Sequence, residues 1–481
     1  MTEMLKASLI YRFFAAIGRW FGAQWKESRV IRAFVNTKSE EQLADGSRIF
    51  QAGTKLRLWQ ERIFHALRLD RLFRGSLFAM PFLWSLAAVV LAPLVPTMLL
   101  LGLVLLAGVS AIIRFGTDHE KPLTRAPVNR YILLYALLYM VATLTSVTVT
   151  GSLYIGLLTS VFILSALVIE NSIESKQQLR LIVRGAVCAA VLVALYGIYQ
   201  HFFGTGGTET WVDEDMFSDI STRVYSTLDN PNVLSEYLLL AIPMAAACMF
   251  AAKNWLRRIL YFAACGIMCL CMIYTFSRGG WLGLLFAIFV FLILVDRRFI
   301  FLMLAGAVCL LLFSPEVITD RFTSIGDVTD TSTSYRVSIW MGTLKMLKDY
   351  WMTGIGPGTQ AFNMIYPAYS YNTISAPHAH NLFLQIVCDT GIVGIIVFIL
   401  LIIVFIRMCC HAISVETSHE AKMLQIGSLS SIGGFLVQSM TDYSFYNYRV
   451  MFLFWAYLAL AAVFCRTGSL REDGGYRSVN G

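Results

Sequence analysis

The chain carries little charge for its length. Of its 481 residues, 14% are charged and 57% are hydrophobic, whereas a typical soluble domain carries about 25% charged residues. The 11 prolines and 34 glycines are too few for a disordered or low-complexity chain. Because runs of about 20 apolar residues recur, the composition excludes a coiled coil and a small secreted scaffold, and it favours a polytopic membrane protein over a soluble multidomain enzyme.

The sequence also lacks motifs for nucleotide and hydrolase chemistry. It has no P-loop, no G-x-G-x-x-G that opens a helix after a strand, no G-x-S-x-G and no H-E-x-x-H. The net charge of +8 is typical of basic cytoplasmic loops, so no nucleic-acid partner is predicted. The ten cysteines lie mostly within apolar runs and are predicted to pack as small apolar residues rather than to bind a metal.

Apolar runs predict an all-α membrane protein with about twelve transmembrane helices. The runs lie at 76–93, 95–113, 130–149, 152–170, 182–203, 232–251, 258–276, 279–295, 298–313, 387–407, 422–441 and 448–465. Lysine and arginine recur in alternate loops, and these loops share one side of the membrane if both termini are cytoplasmic. The other side then faces the extracytoplasmic space.

This topology divides the chain into five regions. Residues 1–75 form a basic and aromatic cytoplasmic leader, predicted to be an amphipathic helix on the inner membrane surface, with protein docking as the alternative. Helices 1–9 occupy 76–313 and helices 10–12 occupy 387–465. Residues 314–386 form an extracytoplasmic loop that is too long for a simple connection, and 466–481 are a cytoplasmic tail.

The large loop is predicted to contain a helix of its own. Ser332, Thr333 or Ser334 is expected to cap it, and it is expected to run through Lys348. The glycine-rich run Gly354–Gly358 then ends the helix with a turn.

Three arginines are predicted at the outer face, against the usual orientation bias. Arg278 lies between two apolar spans beside two glycines, where an anion site competes with an arginine that reaches lipid phosphate. Arg336, near the start of the loop helix, can bind an anion, face solvent or pair with Asp330. Arg223 stands among acidic residues, which favours an ion pair. Asn232 can cap a helix or bind hydroxyl groups.

Two of the seven histidines precede the tenth span on the outer side. His378 and His380 could form a metal site, but the next carboxylate is Asp389, which the helix carries into the membrane. A neutral His380 that accepts a proton from a hydroxyl is the favoured role, and a backbone-bonded histidine at a helix start is the alternative. The two rings are expected on different sides of that helix. Together, the arginines and the histidine predict a phosphate-bearing substrate and a hydroxyl to be activated.

Four segments resemble the O-antigen ligase and O-antigen polymerase superfamily. They are Asn230–Asn232, Ser277–Trp281, the pair Tyr335–Trp340 and Thr353–Gly358, and His380-Asn381 followed by Gly391–Gly394. The resemblance implies an integral-membrane glycosyltransferase of the bacterial cytoplasmic membrane that works without a metal or other cofactor. Its donor would be a polyprenyl-diphosphate-linked oligosaccharide, and its acceptor a glycan or a lipid.

The resemblance also implies roles for single residues. Arg278 and Arg336 would hold the diphosphate, and His380 would assist the acceptor hydroxyl. Further candidates for substrate binding are Arg223, Asn232, His378, Asn381 and Trp340. Polysaccharide-assembly proteins are candidate partners of the leader, residues 1–75.

Three functions stay open at this point. The first is a polymerase or a ligase of cell-envelope polysaccharide, with the polymerase favoured. The second is a transporter of an anion or a lipid-linked sugar, and the third is a scaffold for cell-wall assembly. A transporter usually places polar groups at mid-membrane, whereas the candidate residues here cluster at the outer face and the spans are expected to be nearly free of charge. The sequence therefore favours the enzyme.

Overall fold

The computed structural model describes residues 48–73, 75–117, 126–204, 223–296, 298–299, 331–371, 373–467 and 470. Over these residues the protein is all-helical, as predicted. Several predictions fall outside them: the leader before residue 48, most of the ninth span at 298–313, the acidic stretch of the loop before Arg223, Asp330 and the tail after residue 470.

The helices are numbered here in chain order. They are α1 (Arg48–Ala66), α2 (Leu69–Phe73), α3 (Pro81–Leu91), α4 (Thr97–Thr117), α5 (Asn129–Leu144), α6 (Val149–Ser172), α7 (Lys176–Phe203), α8 (Pro231–Ala251), α9 (Trp255–Tyr274), α10 (Arg278–Val295), α11 (Thr331–Tyr350), α12 (Thr359–Ile365), α13 (Leu382–Val415), α14 (His419–Gln438) and α15 (Tyr448–Cys465). Every predicted apolar run except 298–313 coincides with one of α3–α10 or α13–α15.

Within the described ranges, eight helices are long and apolar enough to cross a membrane: α4, α6–α10, α13 and α15. Helices α3 and α5 are apolar but shorter. Helix α14, predicted as a span, is not among the eight, because its sequence is rich in serine, glycine and glutamine. It is instead surrounded by protein along most of its length.

The described residues up to Asp70 belong to a compact unit separate from the rest of the chain. Helix α1 belongs to it and carries an exposed lysine, Lys55, beside the exposed side chains of Leu58 and Trp59. This part of the leader is therefore helical. Its amphipathic character and its place on the membrane surface stay predictions.

In the second unit, α8, α14 and α15 are almost wholly buried. Helix α14 packs against α8 and α10. Gly283 of α10 faces Gly434 of α14 so closely that a Cβ on Gly283 would lie 2.6 Å from the Gly434 carbonyl oxygen. Small residues permit this approach of two backbones. The contact places the beginning of α10 beside the end of α14.

Among the described residues, three carboxylates are buried inside spanning helices, which qualifies the expectation that the spans are nearly free of charge. Glu170, Glu236 and Asp389 are each 1% exposed. A buried carboxylate is costly unless it is hydrogen-bonded. Asp389 accepts one bond from the Tyr139 hydroxyl at 2.7 Å and one from the Gln385 amide at 2.8 Å.

The helix predicted in the large loop is confirmed as α11, although its start differs from the prediction. Because Thr331 already belongs to α11, Ser332, Thr333 and Ser334 lie inside the helix and not at its N-cap. The helix ends at Tyr350, before the glycine-rich run, as expected.

Helix α13 is broken at Gly391, where φ is 69° and ψ is −170°. The backbone that follows α11 fills this break: the Ile392 amide donates to the Trp351 carbonyl at 2.8 Å, and the Ile355 amide donates to the Cys388 carbonyl at 2.6 Å. Backbone groups released by the break thus find partners within the protein. The loop after α11 is thereby joined to the middle of α13.

We predict that Gly391→Ala destabilises the protein. The Gly391 backbone occupies a region of φ and ψ that is essentially restricted to glycine, and a Cβ would collide with the Met352 carbonyl. Such strain costs about 1–3 kcal/mol before the collision is counted. Gly102→Ala in α4 is the matched control, because a Cβ there meets no atom within 4 Å. Thermal unfolding in detergent should show a lower Tm for Gly391→Ala only; equal midpoints would contradict the argument.

Candidate functional site

A sharp turn between α9 and α10 positions Arg278. Ser277 caps α10, since its hydroxyl accepts the Gly280 amide at 3.3 Å. The Trp281 indole donates to the Met272 carbonyl at 3.2 Å, which joins the two helices across the turn. Phe276 adopts a φ of 47°, an unusual conformation for a non-glycine residue. Arg278 is consequently the first residue of a helix whose entry is fixed on both sides.

A cavity of about 350 Å³ opens beside Arg278, a volume typical of small-molecule sites. It lies between the beginning of α10, the first half of α11, the end of α14 and the segment before α8. Its lining residues are Arg223, Asn232, Phe276, Ser277, Arg278, Gly279, Leu282, Ser332, Thr333, Arg336, Val337, Trp340, Gln438, Thr441 and Asp442. The structure thus brings together the three arginines predicted at the outer face, along with Asn232 and Trp340.

The charge of the cavity is positive. Among the described residues, three arginines line it, against one carboxylate, Asp442. Arg336 donates from Nη1 to the Ser332 hydroxyl at 2.8 Å, while its buried Nε makes no hydrogen bond within the described part of the chain. Guanidinium groups bind phosphate through several hydrogen bonds at once. The cavity is therefore suited to an anion.

A chain of polar contacts connects the arginines to the histidines. Arg223 donates from Nη2 to Oδ1 of Asn232 at 3.0 Å, and the Asn232 amide donates to Oδ2 of Asp442 at 3.0 Å. Oδ1 of Asp442 lies 3.4 Å from Nδ1 of His380. Arg223 also donates to the Thr275 carbonyl at 2.9 Å. Its described contacts are thus part of the cavity wall, and the acidic residues predicted to pair with it lie outside the described residues.

Asp442 and Gln438 are among the cavity residues that the sequence analysis did not predict. Burial alone would raise the pKa of Asp442, but the adjoining His380 and the Arg336 charge outweigh it and hold that pKa below its usual range. Gln438 donates to the Asn232 carbonyl at 3.0 Å and the Ser235 hydroxyl at 2.7 Å. The available signal was slight: Asp442 is an acid in a short outer loop between two predicted spans.

His380 has a strained backbone beside the cavity. Its φ is 45°, and such conformations cluster at functional sites. Its carbonyl accepts the Trp340 indole at 3.2 Å. Trp340, predicted to bind substrate, therefore lines the cavity with its ring while its N–H holds His380.

His378 lies against His380, which corrects the expectation that the rings point to different sides of a helix. Helix α13 begins only at Leu382, and the two ring centroids are 4.2 Å apart. Nδ1 of His378 accepts the His380 amide at 3.2 Å. Burial, followed by the influence of His380, lowers the pKa of His378 to about 3, so this ring is neutral. In the described residues, no group of three or more His, Cys, Asp or Glu side chains is arranged to hold a metal ion.

Asn381 uses both ends of its amide on the backbone. Its oxygen caps α13 by accepting the Leu384 amide at 3.0 Å, and its nitrogen donates to the Met440 carbonyl at 2.7 Å. Two tyrosines flank the histidines: the ring of Tyr335 lies 5.8 Å from that of His380, and the ring of Tyr446 lies 4.7 Å from that of His378. Both are exposed, Tyr446 by 51%, and so present aromatic surface beside the site.

Residues 263–399 match the family model Wzy_C, described as O-Antigen ligase. This segment is therefore similar to the O-antigen ligase family. The resemblance inferred from the sequence is thereby confirmed for this segment. A comparison with curated proteins found no match. The O-antigen ligase segment includes Arg278, Arg336 and His380, whereas Arg223, Asn232 and Asp442 lie outside it.

We predict that His378 contributes to loss of stability in acid. With a folded-state pKa of about 3 and an unfolded value of about 6.5, the unfolded chain binds the additional proton between these pH values. The free energy of unfolding therefore falls as the pH decreases through this window. His378→Phe keeps a ring and removes the titration, so its Tm should fall less between pH 7 and pH 5 than that of the wild type. An identical pH dependence would contradict the assignment.

Proposed function

We propose that the protein is a membrane glycosyltransferase that transfers or polymerises a polyprenyl-diphosphate-linked glycan at the extracytoplasmic face. The observation that carries this proposal is the convergence of Arg223, Arg278 and Arg336 on one cavity, with His380 one carboxylate away from it. The match of residues 263–399 to the O-antigen ligase family supports the same chemistry.

The arginines bind the diphosphate of the donor. A diphosphate is a good leaving group, so the main requirement is to neutralise the negative charge that grows as it departs. Preorganised guanidinium groups around the departing diphosphate meet this requirement. Arg278 at the start of α10 and Arg336 on α11 supply most of the charge, and Arg223 is oriented for it by Asn232.

His380 is the general base for the acceptor hydroxyl. Because the low pKa of Asp442 keeps its carboxylate ionised, the carboxylate favours a proton on the facing Nδ1 of His380. This leaves Nε2 as the basic nitrogen. The arrangement resembles a catalytic triad, in which a carboxylate fixes the tautomer of the histidine and the histidine accepts the proton of the attacking hydroxyl.

The reaction then balances as one displacement at the sugar. Nε2 of His380 takes the proton of the acceptor hydroxyl, and the acceptor oxygen forms a bond to the anomeric carbon of the donor. The bond between that carbon and the diphosphate oxygen breaks, and the polyprenyl diphosphate leaves with the electron pair. The proton on His380 is released to solvent before the next cycle.

The acceptor is proposed to be a glycan, which favours the polymerase over the ligase that uses a lipid acceptor. The argument rests on Tyr335 and Tyr446, whose exposed rings flank the histidines. The faces of a sugar ring carry apolar C–H groups that pack well on an aromatic surface. A lipid acceptor would have less use for two exposed tyrosines beside the base.

The proposed setting is the bacterial cytoplasmic membrane with both termini in the cytoplasm. The distribution of lysine and arginine between alternate loops supports this orientation. In it, residues 314–386 and the cavity face outward, and residues 1–75 lie inside, where they are available to polysaccharide-assembly proteins. No cofactor enters the proposed reaction.

A transporter is the alternative, and two features of α13 would favour it: the break at Gly391 and the buried Asp389. Transporters bind substrates and ions at such broken helices. Here, however, backbone groups of Trp351 and Ile355 hydrogen-bond to the helix at the break, and both oxygens of the Asp389 carboxylate accept hydrogen bonds from Tyr139 and Gln385. The enzyme therefore accounts better for the polar groups, which gather at the ends of α8, α10 and α14.

We expect Arg278→Ala and Arg336→Ala each to lower transfer at least about 10- to 100-fold, because each variant loses a charge-assisted contact worth about 1.5–3 kcal/mol. Arg→Lys should rescue poorly, since an ammonium cannot reproduce the bidentate contact. Transfer of a labelled lipid-linked oligosaccharide by the purified protein measures both effects.

The matched control is Arg258→Ala at the start of α9, whose guanidinium donates to the exposed Ala252 carbonyl. This variant should keep wild-type transfer. Full activity of both lysine variants would show that bidentate phosphate recognition is wrong.

His380→Ala should lower turnover by about 10²- to 10⁴-fold, the usual contribution of a general base, and leave donor binding nearly unchanged. The exposed His411→Ala at the end of α13 serves as the control and should transfer normally. Turnover is measured with saturating donor, and donor binding is measured separately with the non-transferring variant. Unchanged turnover in His380→Ala would remove the histidine from the mechanism.

A further inference from the structure

The strained segment that carries His380 needs support from its surroundings. Residues 377–381 are not helical, and the φ of 45° at His380 persists only if neighbouring contacts hold it. The Trp340 indole holds the carbonyl of His380 from the cavity side. The amide before it, that of Ala379, donates to Oε1 of Gln385 at 2.8 Å. Gln385 thus holds this segment from the opposite direction, from inside α13.

Gln385 is itself fixed by a buried carboxylate. Its Nε2 donates to Oδ1 of Asp389 at 2.8 Å, and Oδ2 of Asp389 accepts the Tyr139 hydroxyl at 2.7 Å. Gln385 and Asp389 are four residues apart, so their side chains share one face of the first half of α13. They are 2% and 1% exposed, respectively. The whole line of hydrogen bonds from Tyr139 to Ala379 is therefore shielded from water.

The cavity chemistry leaves this carboxylate unexplained. Asp389 does not line the cavity, and burying a carboxylate in a spanning helix is costly. It lies two residues before Gly391, where the break in α13 ends the rigid half-helix that carries Gln385. A network with both carboxylate oxygens bonded holds a buried amide in one orientation. That orientation presents Oε1, the acceptor, to Ala379.

We propose that Gln385 is a positioning residue for His380 and that Asp389 and Tyr139 fix the orientation of its amide. This inference rests on the proposed role of His380 as the base. The buried hydrogen bonds fix the histidine segment relative to α13. A general base acts only when it lies within hydrogen-bond reach of the proton that it accepts. Without Gln385, the peptide between His378 and Ala379 loses this hydrogen bond, the strained segment that contains His380 is free to relax, and Nε2 moves away from the acceptor hydroxyl.

The first test is Gln385→Met, which keeps the length of the side chain and removes both hydrogen bonds. We expect kcat to fall about 10- to 100-fold, as small displacements of catalytic groups do, while the KM for the donor stays unchanged because the arginines are untouched. Gln425→Met is the matched control: Gln425 is also fully buried and donates to the Ala461 carbonyl at 3.0 Å, far along α14 from the cavity. It should lower the Tm and spare kcat.

The second test is Gln385→Glu. If Gln385 had a merely structural role, the rate of this variant relative to wild type would not depend on pH. A protonated carboxyl can donate to Asp389 and still accept the Ala379 amide, but two ionised carboxylates cannot share the site. The rate relative to wild type should therefore be highest at acid pH and fall as the pH rises. Within the described part of the chain, the ionisable groups that interact with Asp389 are Tyr135, Tyr139, Cys388, Tyr443 and Tyr448, and none of these carries a positive charge.

The outcomes separate this inference from the proposed function. If the wild type transfers glycan and Gln385→Met transfers at the same kcat, Gln385 does not position the base. A loss of kcat in Gln385→Met accompanied by a rise in the donor KM would also overturn the inference, since it would indicate a general distortion of the cavity. If Gln385→Met does not fold, Tyr139→Phe is the variant that tests the proposal. It removes only one hydrogen bond to Asp389 and should lower kcat by a smaller factor. An unchanged kcat in that variant would contradict the proposal.

Absence of transfer by the wild type would instead refute the proposed function.

Discussion

The carboxylate of Asp442 is the group on which the geometry of the site depends. Three guanidinium groups face one cavity, and without a counter-charge their repulsion and desolvation would oppose folding. Asp442 supplies the negative charge. One of its carboxylate oxygens accepts a hydrogen bond from Asn232, and the other lies beside His380. Its own backbone carbonyl accepts the Leu382 amide at 3.1 Å, which ties it to the start of α13. One residue thus links the anion cavity, the histidine and the helix behind the histidine.

A second constraint comes from the break in α13. A helix that was broken within the membrane and left backbone N–H and C=O groups without hydrogen bonds would be unstable. The backbone segment that follows α11 supplies partners for these groups. The same contact orients α11, which carries Arg336 and Trp340 to the cavity. The position of α11 and the position of the histidine therefore depend on the same contact between Gly354 and the break at Gly391. Glycine at position 354 permits this contact, since a Cβ on Gly354 would lie 2.5 Å from the Cys388 carbonyl oxygen.

Much of this architecture could be predicted from the sequence, because apolar runs and the arginines near their ends stand out by composition alone. The sequence therefore predicts Arg278, Arg336 and Arg223 as candidate site residues, but it does not predict their convergence on one cavity. Asp442 escaped notice because a single acid in a short loop forms no pattern, and its partner Asn232 is 210 residues away in sequence. The orientation of His378 was predicted wrongly because the helix was assumed to begin at the histidines, whereas Asn381 caps it. The break at Gly391 depends on a distant backbone segment, which local sequence does not reveal.

The most direct test of the account measures both products of one reaction. The purified protein is reconstituted in proteoliposomes with a polyprenyl-diphosphate-linked oligosaccharide and EDTA, and the elongated or transferred glycan and the released polyprenyl diphosphate are quantified together. The account predicts one polyprenyl diphosphate released for each glycosidic bond formed. Movement of the intact lipid-linked oligosaccharide across the bilayer, with no bond formed and no diphosphate released, would contradict it.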